Sequence, residues 1–335
     1  MNSKKMFKKI MKCPFCGNKK SIRVSKQKLI RNFYVKEIVT DLKISFSFLQ
    51  KNLKIKECKN CHSIYFSRWF NDYYKKKIFL TIYGQHNMGW QNFYDFKNKA
   101  LTPNHGGLFN LLKKKIKILR YGEYGCPFNG LMFEMLKEEI KKERILKKFI
   151  NENMKHLADK VRNFNTHNIR TKKKFKIPKV KRLYDKYFVI DSSHLIWGKN
   201  DISNNCSSLG LADKIFDLDL YDANEKSLYK NKFDLFGFFM TLDHCENALS
   251  LLKNILYISR YVVIHAHTTK QITAQHSFIF TKKIKKFLTK NKIFNLDLTW
   301  NIEKDPNRNK GVNYKSNEIY LLCSLSKKNI DNYLA

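Results

Sequence analysis

Two Cys-x-x-Cys pairs, Cys13/Cys16 and Cys58/Cys61, carry the clearest chemistry in this sequence. They stand in knuckle-like turns, Cys13-Pro-Phe-Cys-Gly17 and Cys58-Lys-Asn-Cys-His62. Two intervening residues let both sulfurs of a tight turn face one ion. Two such turns supply four thiolates, a tetrahedral set that suits structural Zn2+. Four thiolates leave no open coordination position, so a catalytic zinc is not expected there, and His62 is the weaker alternative ligand. The other cysteines, Cys126, Cys206, Cys245 and Cys323, are single. That usage predicts a reducing cytoplasm rather than a disulfide scaffold.

A second candidate is the stretch Glu123-Tyr-Gly-Cys-Pro-Phe-Asn-Gly130. It reads as a turn between a strand and a helix. Glycines there allow a ligand close to the backbone, and a helix N-terminus attracts polar groups. The acid just ahead could pair with an amino-bearing ligand.

The elements that must position these residues follow from apolar patterning. Residues 1–65 form the metal module, with strands at Ser21-Ile-Arg-Val24 and His62-Ser-Ile-Tyr-Phe66. Between the second and third cysteines lie 41 residues, so a segment around Phe33–Leu53 must loop out of the knuckle pair. Residues 66–112 are rich in aromatics and read as short connecting helices. Residues 113–325 read as alternating strands and helices. The strands are Ile116–Leu119, Tyr187–Ile190, Lys214–Asp217, Phe233–Phe239, Tyr261–Ile264 and Ile319–Cys323. The helices fall at 131–157, 248–256 and 281–292, and a basic insertion interrupts the order at about 158–182. Alternation of this kind predicts a mostly parallel sheet covered on both faces.

The 335 residues carry a net charge of +38, which invites a polyanionic partner such as nucleic acid. Only ten of the 66 basic residues are Arg, and the Lys residues are spread along the chain with plentiful Asn, Ile, Phe and Tyr. Biased composition over a solvated surface is therefore the favoured reading, and nucleic acid is not. No run approaches the ~18 apolar residues of a membrane span, and no apolar stretch follows the basic start as a signal peptide requires. The expectation is a cytoplasmic protein of unknown oligomeric state.

Phe233-Asp-Leu-Phe236 is followed by Leu242-Asp-His-Cys-Glu-Asn247, a Leu-rich helix and Tyr261-Val-Val-Ile264. With the Glu123–Gly130 turn upstream, this order resembles class I S-adenosylmethionine-dependent methyltransferases. Gln275-His-Ser-Phe-Ile-Phe-Thr281 is similar to the late His…Phe-Thr segment of that family. Preceded by the cysteine pairs, the chain resembles methyltransferases that carry an N-terminal zinc-binding domain, over roughly residues 10–325. Several of these act on sugar nucleotides or in surface-polysaccharide gene sets. The resemblance implies an α/β protein, a Rossmann-like class I methyltransferase domain with a small N-terminal zinc-binding module. It implies S-adenosylmethionine as cofactor and a small-molecule acceptor, a nucleotide-linked sugar among the candidates.

By position, Glu123, Gly125 and Gly130 would line the methionine end of that cofactor, Asp191 would hold its ribose, and Asp217 or Asp219 would approach its adenine. A base for the acceptor is expected among His244, His265, His267 and His276, which follow strand ends, with His265 or His267 preferred. The chain departs from the family at Pro127, which stands where a second glycine is usual, and at the distance of about sixty residues from the turn to Asp191. Two alternatives stay open: an RNA methyltransferase using the basic surface, and a non-catalytic binding protein with a decayed cofactor site.

Overall fold

A computed structural model describes residues 6–24, 33–79, 94–95, 100–101, 105–125, 130–140, 144–145, 148, 181–190, 212–217, 230–268, 276–299 and 318–335. The amino-terminal part holds β1 (Phe7–Lys9), β2 (Ser21–Arg23), α1 (Phe33–Asp41), α2 (Phe46–Asn52), β3 (Lys54–Cys58), β4 (Ile64–Phe70) and α3 (Asp72–Phe79). A two-stranded ribbon, β5 (Tyr94–Asp95) and β6 (Ala100–Leu101), leads to α4 (Gly106–Lys115). Then follow β7 (Arg120–Tyr124), α5 (Met132–Glu139), β8 (Asp185–Ile190), β9 (Lys214–Asp217) and β10 (Phe233–Phe239). Next come α6 (Ala248–Ile258), β11 (Ser259–His267), β12 (Phe278–Ile279), α7 (Ile284–Lys290), β13 (Phe294–Asp297), β14 (Glu318–Ser324) and α8 (Lys327–Leu334).

The large sheet has the order β13-β14-β11-β10-β7-β8-β9. From β11 to β9 all neighbours are parallel, and β14 and β13 are added antiparallel at the edge. Counting only the five parallel strands along the chain, their order across the sheet is 3-2-1-4-5, the doubly wound arrangement. The sheet thus fits the Rossmann-like methyltransferase fold expected above. Strands buried on both faces carry near-continuous apolar runs. Phe233–Phe239 and Ser259–His267 do so here, and helices cover both sides.

Three packed clusters hold the molecule together. On one face α6 and α7 pack Leu251, Leu252 and Phe287 against Val262 and Ile264. On the other, α4 and α5 pack Leu108, Leu112 and Met135 against Tyr121, Phe188 and Val263. A third cluster fills the amino-terminal sheet β1-β4-β3-β2, where α1 and α2 place Val35, Ile38 and Leu49 against Phe66, Trp69 and Phe70.

The residues between the cysteine pairs therefore fold as two helices rather than a bare loop. Ser45 caps α2, its Oγ accepting from the Phe48 N–H at 3.1 Å. The apolar run 116–119 is not a strand. Ile116 ends α4 and is buried there. The strand starts at Arg120, where the Asp234 carboxylate receives the Leu119 and Arg120 N–H groups at 2.8 and 2.9 Å. Residue 65 falls inside β4, so the drawn module boundary cuts a strand whose Trp69 and Phe70 belong to the module core. The expected 131–157 helix is interrupted: α5 closes at Ile140, and residues 144–145 and 148 are helical again. Asp191, Asp219 and the basic insertion up to residue 180 lie outside the described residues.

Candidate functional site

The four knuckle sulfurs converge. Cys13 and Cys61 Sγ are 3.6 Å apart and Cys16 and Cys58 Sγ 3.5 Å, all four within 4.8 Å of one another. Each turn closes through the same geometry. The Gly17 N–H donates to Cys13 O at 2.8 Å and the His62 N–H to Cys58 O at 3.0 Å. The residue after each pair takes a left-handed conformation, Gly17 at φ 72° and His62 at φ 60°. The donor atoms that gather there are the four sulfurs, and the His62 Nδ1 sits 2.8 Å from Glu57 Oε1. Hydrogen bonds among the sulfurs split the set: those with Cys13 foremost hold Cys16 down to about 7 and Cys58 below the usual thiol range, while Cys13 and Cys61 are raised above it. All-sulfur and four in number, three buried and Cys16 half-buried, these donors could hold a metal ion, and the set suits Zn2+.

At the carboxyl end of β7, Glu123 is wholly buried beneath the turn it precedes. Its Oε2 accepts from the Tyr121 hydroxyl at 2.6 Å and from the Leu131 N–H at 3.0 Å. Among the described residues Oε1 has no hydrogen-bond partner. Burial pushes this carboxyl up to about 8, against the hydrogen bonds from Tyr121 and the backbone. A Cβ at Gly130 would collide with that carboxylate, so glycine there is what lets Glu123 reach the start of α5. Gly125 is at φ 94° and packs on the Thr241 methyl, where any side chain would be both strained and crowded. The structure thus makes Glu123 a buried support of the turn rather than a group facing open space. Asp217 ends β9, paired with Ile190 at the end of β8, and Asp191 would follow that residue. Residues 126–129, with Pro127, lie outside the described set.

Facing this turn across the switch point, the ends of β10 and β11 gather a second polar cluster. β10 leads into a single 3-10 turn, Leu242–His244. The buried Asp243 of that turn places Oδ2 2.8 Å from His267 Nδ1 and 3.8 Å from His276 Nε2. Its Oδ1 lies 3.9 Å from His244 Nε2. The His276 ring stands 4.3 Å from that of His267 and 4.7 Å from that of His244. Burial alone would raise the Asp243 carboxyl, yet the surrounding imidazoles hold it well below the carboxylate range. Burial works to lower His267, but its bond to Asp243 outweighs that and raises it. Burial, then the neighbouring His267 charge, keeps His276 well below the usual value. Of the three imidazoles, His267 stands nearest to Asp243, at 2.8 Å.

The four predicted histidines divide. His244, His267 and His276 meet around Asp243. His265 turns to the other face of β11, where Nε2 is 3.0 Å from Glu318 Oε2 and its ring stacks on Tyr320 at 4.1 Å, beside His105. Sequence reasoning missed Asp243, although the Leu242-Asp-His turn that holds it was singled out. It also missed Glu318 and His105, for which no spacing gave a signal.

The knuckle and this cluster are physically joined. The first two N–H groups of α6, on Ala248 and Leu249, donate to Pro14 O and Phe15 O at 3.1 and 2.9 Å. Helix-end donors need such partners. β12 pairs antiparallel with β4, Phe278 opposite Tyr65, immediately after His276. Phe15 packs against Phe278, Phe280 and Phe287 at ring separations of 5.4, 5.0 and 5.9 Å. The Ser277 hydroxyl donates to Asp243 O at 2.8 Å, with Cys245 O a further 3.1 Å contact.

No protein-family model matches this chain, and no curated protein matches it in sequence. Among solved structures it is similar to an O-methyltransferase family protein from Burkholderia thailandensis, with 6% identity over 76% of this chain and a TM-score of 0.37. The chain spans 60% of that protein's length. It is also similar to the 1,6-didemethyltoxoflavin-N1-methyltransferase of the same organism, solved with 1,6-didemethyltoxoflavin and S-adenosylhomocysteine. There the identity is 9%, the coverage 74% of this chain and 84% of that one, and the TM-score 0.37. A third is the N-terminal domain of EvdMO1 with S-adenosylhomocysteine and D-fucose, at 9% identity, 66% and 82% coverage and a TM-score of 0.31. At these scores the likeness carries no weight. Among the described residues no helix is long and apolar enough to cross a membrane.

Proposed function

We propose that this protein is an S-adenosylmethionine-dependent methyltransferase acting on a small molecule, with a nucleotide-linked sugar as one candidate acceptor and Zn2+ held by Cys13, Cys16, Cys58 and Cys61. The observation that carries this reading is the 3-2-1-4-5 parallel order, with an acid–glycine turn ending its first strand and a polar cluster ending its fourth and fifth. Ligands of doubly wound sheets lie beyond the carboxyl ends of the strands, at the point where the order reverses. Here that point lies between β7 and β10.

The cofactor, when bound, supplies a methyl group activated by its sulfonium. The chain's own residues do the rest. The turn at Gly125–Gly130, braced from below by Glu123, offers backbone to the cofactor. Asp191 and Asp217 or Asp219, after the second and third parallel strands, are the proposed contacts to ribose and adenine. His267, His276 and His244, held by Asp243, form the polar wall against which the acceptor's reacting atom would rest. Alignment of that atom with the methyl and exclusion of water are the main demands of such a transfer.

Calorimetric titration and thermal shift with S-adenosylmethionine test the reading. Binding is expected for the native chain and its loss for Gly125→Val, which strains a left-handed position and presses on Thr241. Absence of both heat and thermal shift at millimolar cofactor overturns the proposal.

A further inference from the structure

We infer that Asp243, His267 and His276 form a second metal site, which binds a divalent first-row transition ion through one carboxylate and two imidazoles. The donor geometry fits. Asp243 Oδ2 lies 2.8 Å from His267 Nδ1 and 3.8 Å from His276 Nε2, and one donor atom from each residue lies within 4.8 Å of the other two. Such an ion sits ~2.0–2.2 Å from nitrogen and oxygen ligands, which spaces neighbouring donors by about 3–3.5 Å. The observed separations bracket that value.

Charge and burial point the same way. Asp243 is 0% exposed, and its Oδ1 has no hydrogen-bond partner among the described residues. Among the described residues, the imidazoles of His244, His267 and His276 stand around this carboxylate with ligand atoms that metals favour. The donors come from three chain segments: the turn after β10, the end of β11 and the start of the β12 segment. Ser277 latches the first of these to the third through Asp243 O. Ligands fixed in this way by their surroundings mark built metal sites.

The donor types select the ion. Imidazole with carboxylate suits zinc, iron or manganese, whereas magnesium and calcium favour oxygen alone. Three protein ligands leave a coordination position open, as in catalytic rather than structural sites. It lies on the side of His267, whose side chain is 27% exposed while that of His276 is 3%. On the proposed function that is the side on which the acceptor would rest. The role of the site, unlike its existence, rests on the methyltransferase reading. An acceptor hydroxyl bound at the open position loses its proton to water, and its oxygen forms the new bond to the methyl carbon. The carbon–sulfur bond breaks with its electron pair returning to sulfur, which leaves as the neutral thioether.

Metal-stripped protein loaded with Zn2+ or with Co2+ tests this. The native chain is expected to take two equivalents of Zn2+ after dialysis, and Cys58→Ser and His267→Gln one each. Co2+ separates the two sites by colour. The thiolate site gives intense sulfur-to-metal charge-transfer bands, and the imidazole–carboxylate site only weaker ligand-field bands. His267→Gln should keep the first and lose the second. Because the His267 side chain is part-exposed, this variant is chosen over a change at the buried Asp243. Should it nevertheless fail to fold, the stoichiometry and Co2+ spectrum of the native chain decide. A native chain that takes one equivalent, lost entirely in Cys58→Ser, overturns the site, as does a folded His267→Gln that still binds two. Binding of S-adenosylmethionine is measured separately, so failure of the metal site and failure of the methyltransferase reading are told apart.

Discussion

The cysteine knuckle and the Asp243 cluster are two answers to one problem, how to hold a cation inside a protein. The knuckle closes four sulfurs around a point, with backbone turns at Gly17 and His62 that fix each pair from its own neighbours. The Asp243 cluster draws its donors from three distant segments and leaves one flank, at His267, part-exposed. Closed and local donors suit a structural ion; open and dispersed donors suit a reacting one. The two are not independent. Pro14 and Phe15 cap the helix that follows Asp243, and β4 pairs with the strand that follows His276. The local cluster positions the dispersed one.

The largest effect is expected from Cys58→Ser. Cys13, Cys58 and Cys61 are buried in the core shared by the knuckle and the sheet. Loss of one thiolate removes the zinc and most of the folding free energy tied to it, on the order of 10 kcal/mol in small zinc modules. Metal content should drop by one equivalent and the thermal transition should fall steeply. An unchanged melting temperature would break the comparison, since the knuckle would then hold nothing up.

Phe15→Ala separates the two regions without touching a ligand. Phe15 is 1% exposed and wedged among Phe278, Phe280 and Phe287. Its truncation should cost ~3–5 kcal/mol, as large aromatic deletions in cores do. Hydrogen exchange should quicken at Phe278–Phe280 while the four thiolates keep their zinc. If exchange there stays slow, the knuckle does not position His276 and the link drawn between the clusters is cut.

The two regions also differ in how far they could be read beforehand. The knuckle was legible because its ligands are paired in sequence and tetrahedral sulfur sets tolerate few other meanings. The parallel strands were legible at Phe233–Phe239 and Tyr261–Ile264, where burial on both faces leaves unbroken apolar runs. The strand at Arg120–Tyr124 was not, because Glu123 and Gly122 interrupt its pattern and apolar residues at 116–119 mimic a strand while ending a helix. The histidines were legible as candidates from their places after strands. Their division, three around Asp243 and one against Glu318, was not, since it depends on which face each side chain takes at the end of β11. Asp243 escaped because one acid in a turn looks the same in sequence whether it is solvated or sealed among imidazoles.

Glu123 and Asp243 sharpen the contrast further, as two carboxylates that are both 0% exposed. Imidazoles keep Asp243 ionised, whereas Glu123 has only a hydroxyl and backbone N–H groups, and burial pushes it up to about 8. A carboxyl raised in the folded state stabilises the fold fully below its unfolded value, near 4.5, and that stability is lost as pH rises towards about 8. Between pH 7 and 8 the native chain should therefore lose about 1 kcal/mol from this group, since a full proton difference is worth about 1.4 kcal/mol per pH unit. Glu123→Gln keeps the acceptor for Tyr121 and Leu131 but cannot titrate. Denaturant melts across that interval should show the native chain weakening relative to the variant. Parallel pH profiles for the two would mean that Glu123 is ionised like Asp243, and that the turn at Gly125–Gly130 is braced by an anion instead of a neutral acid.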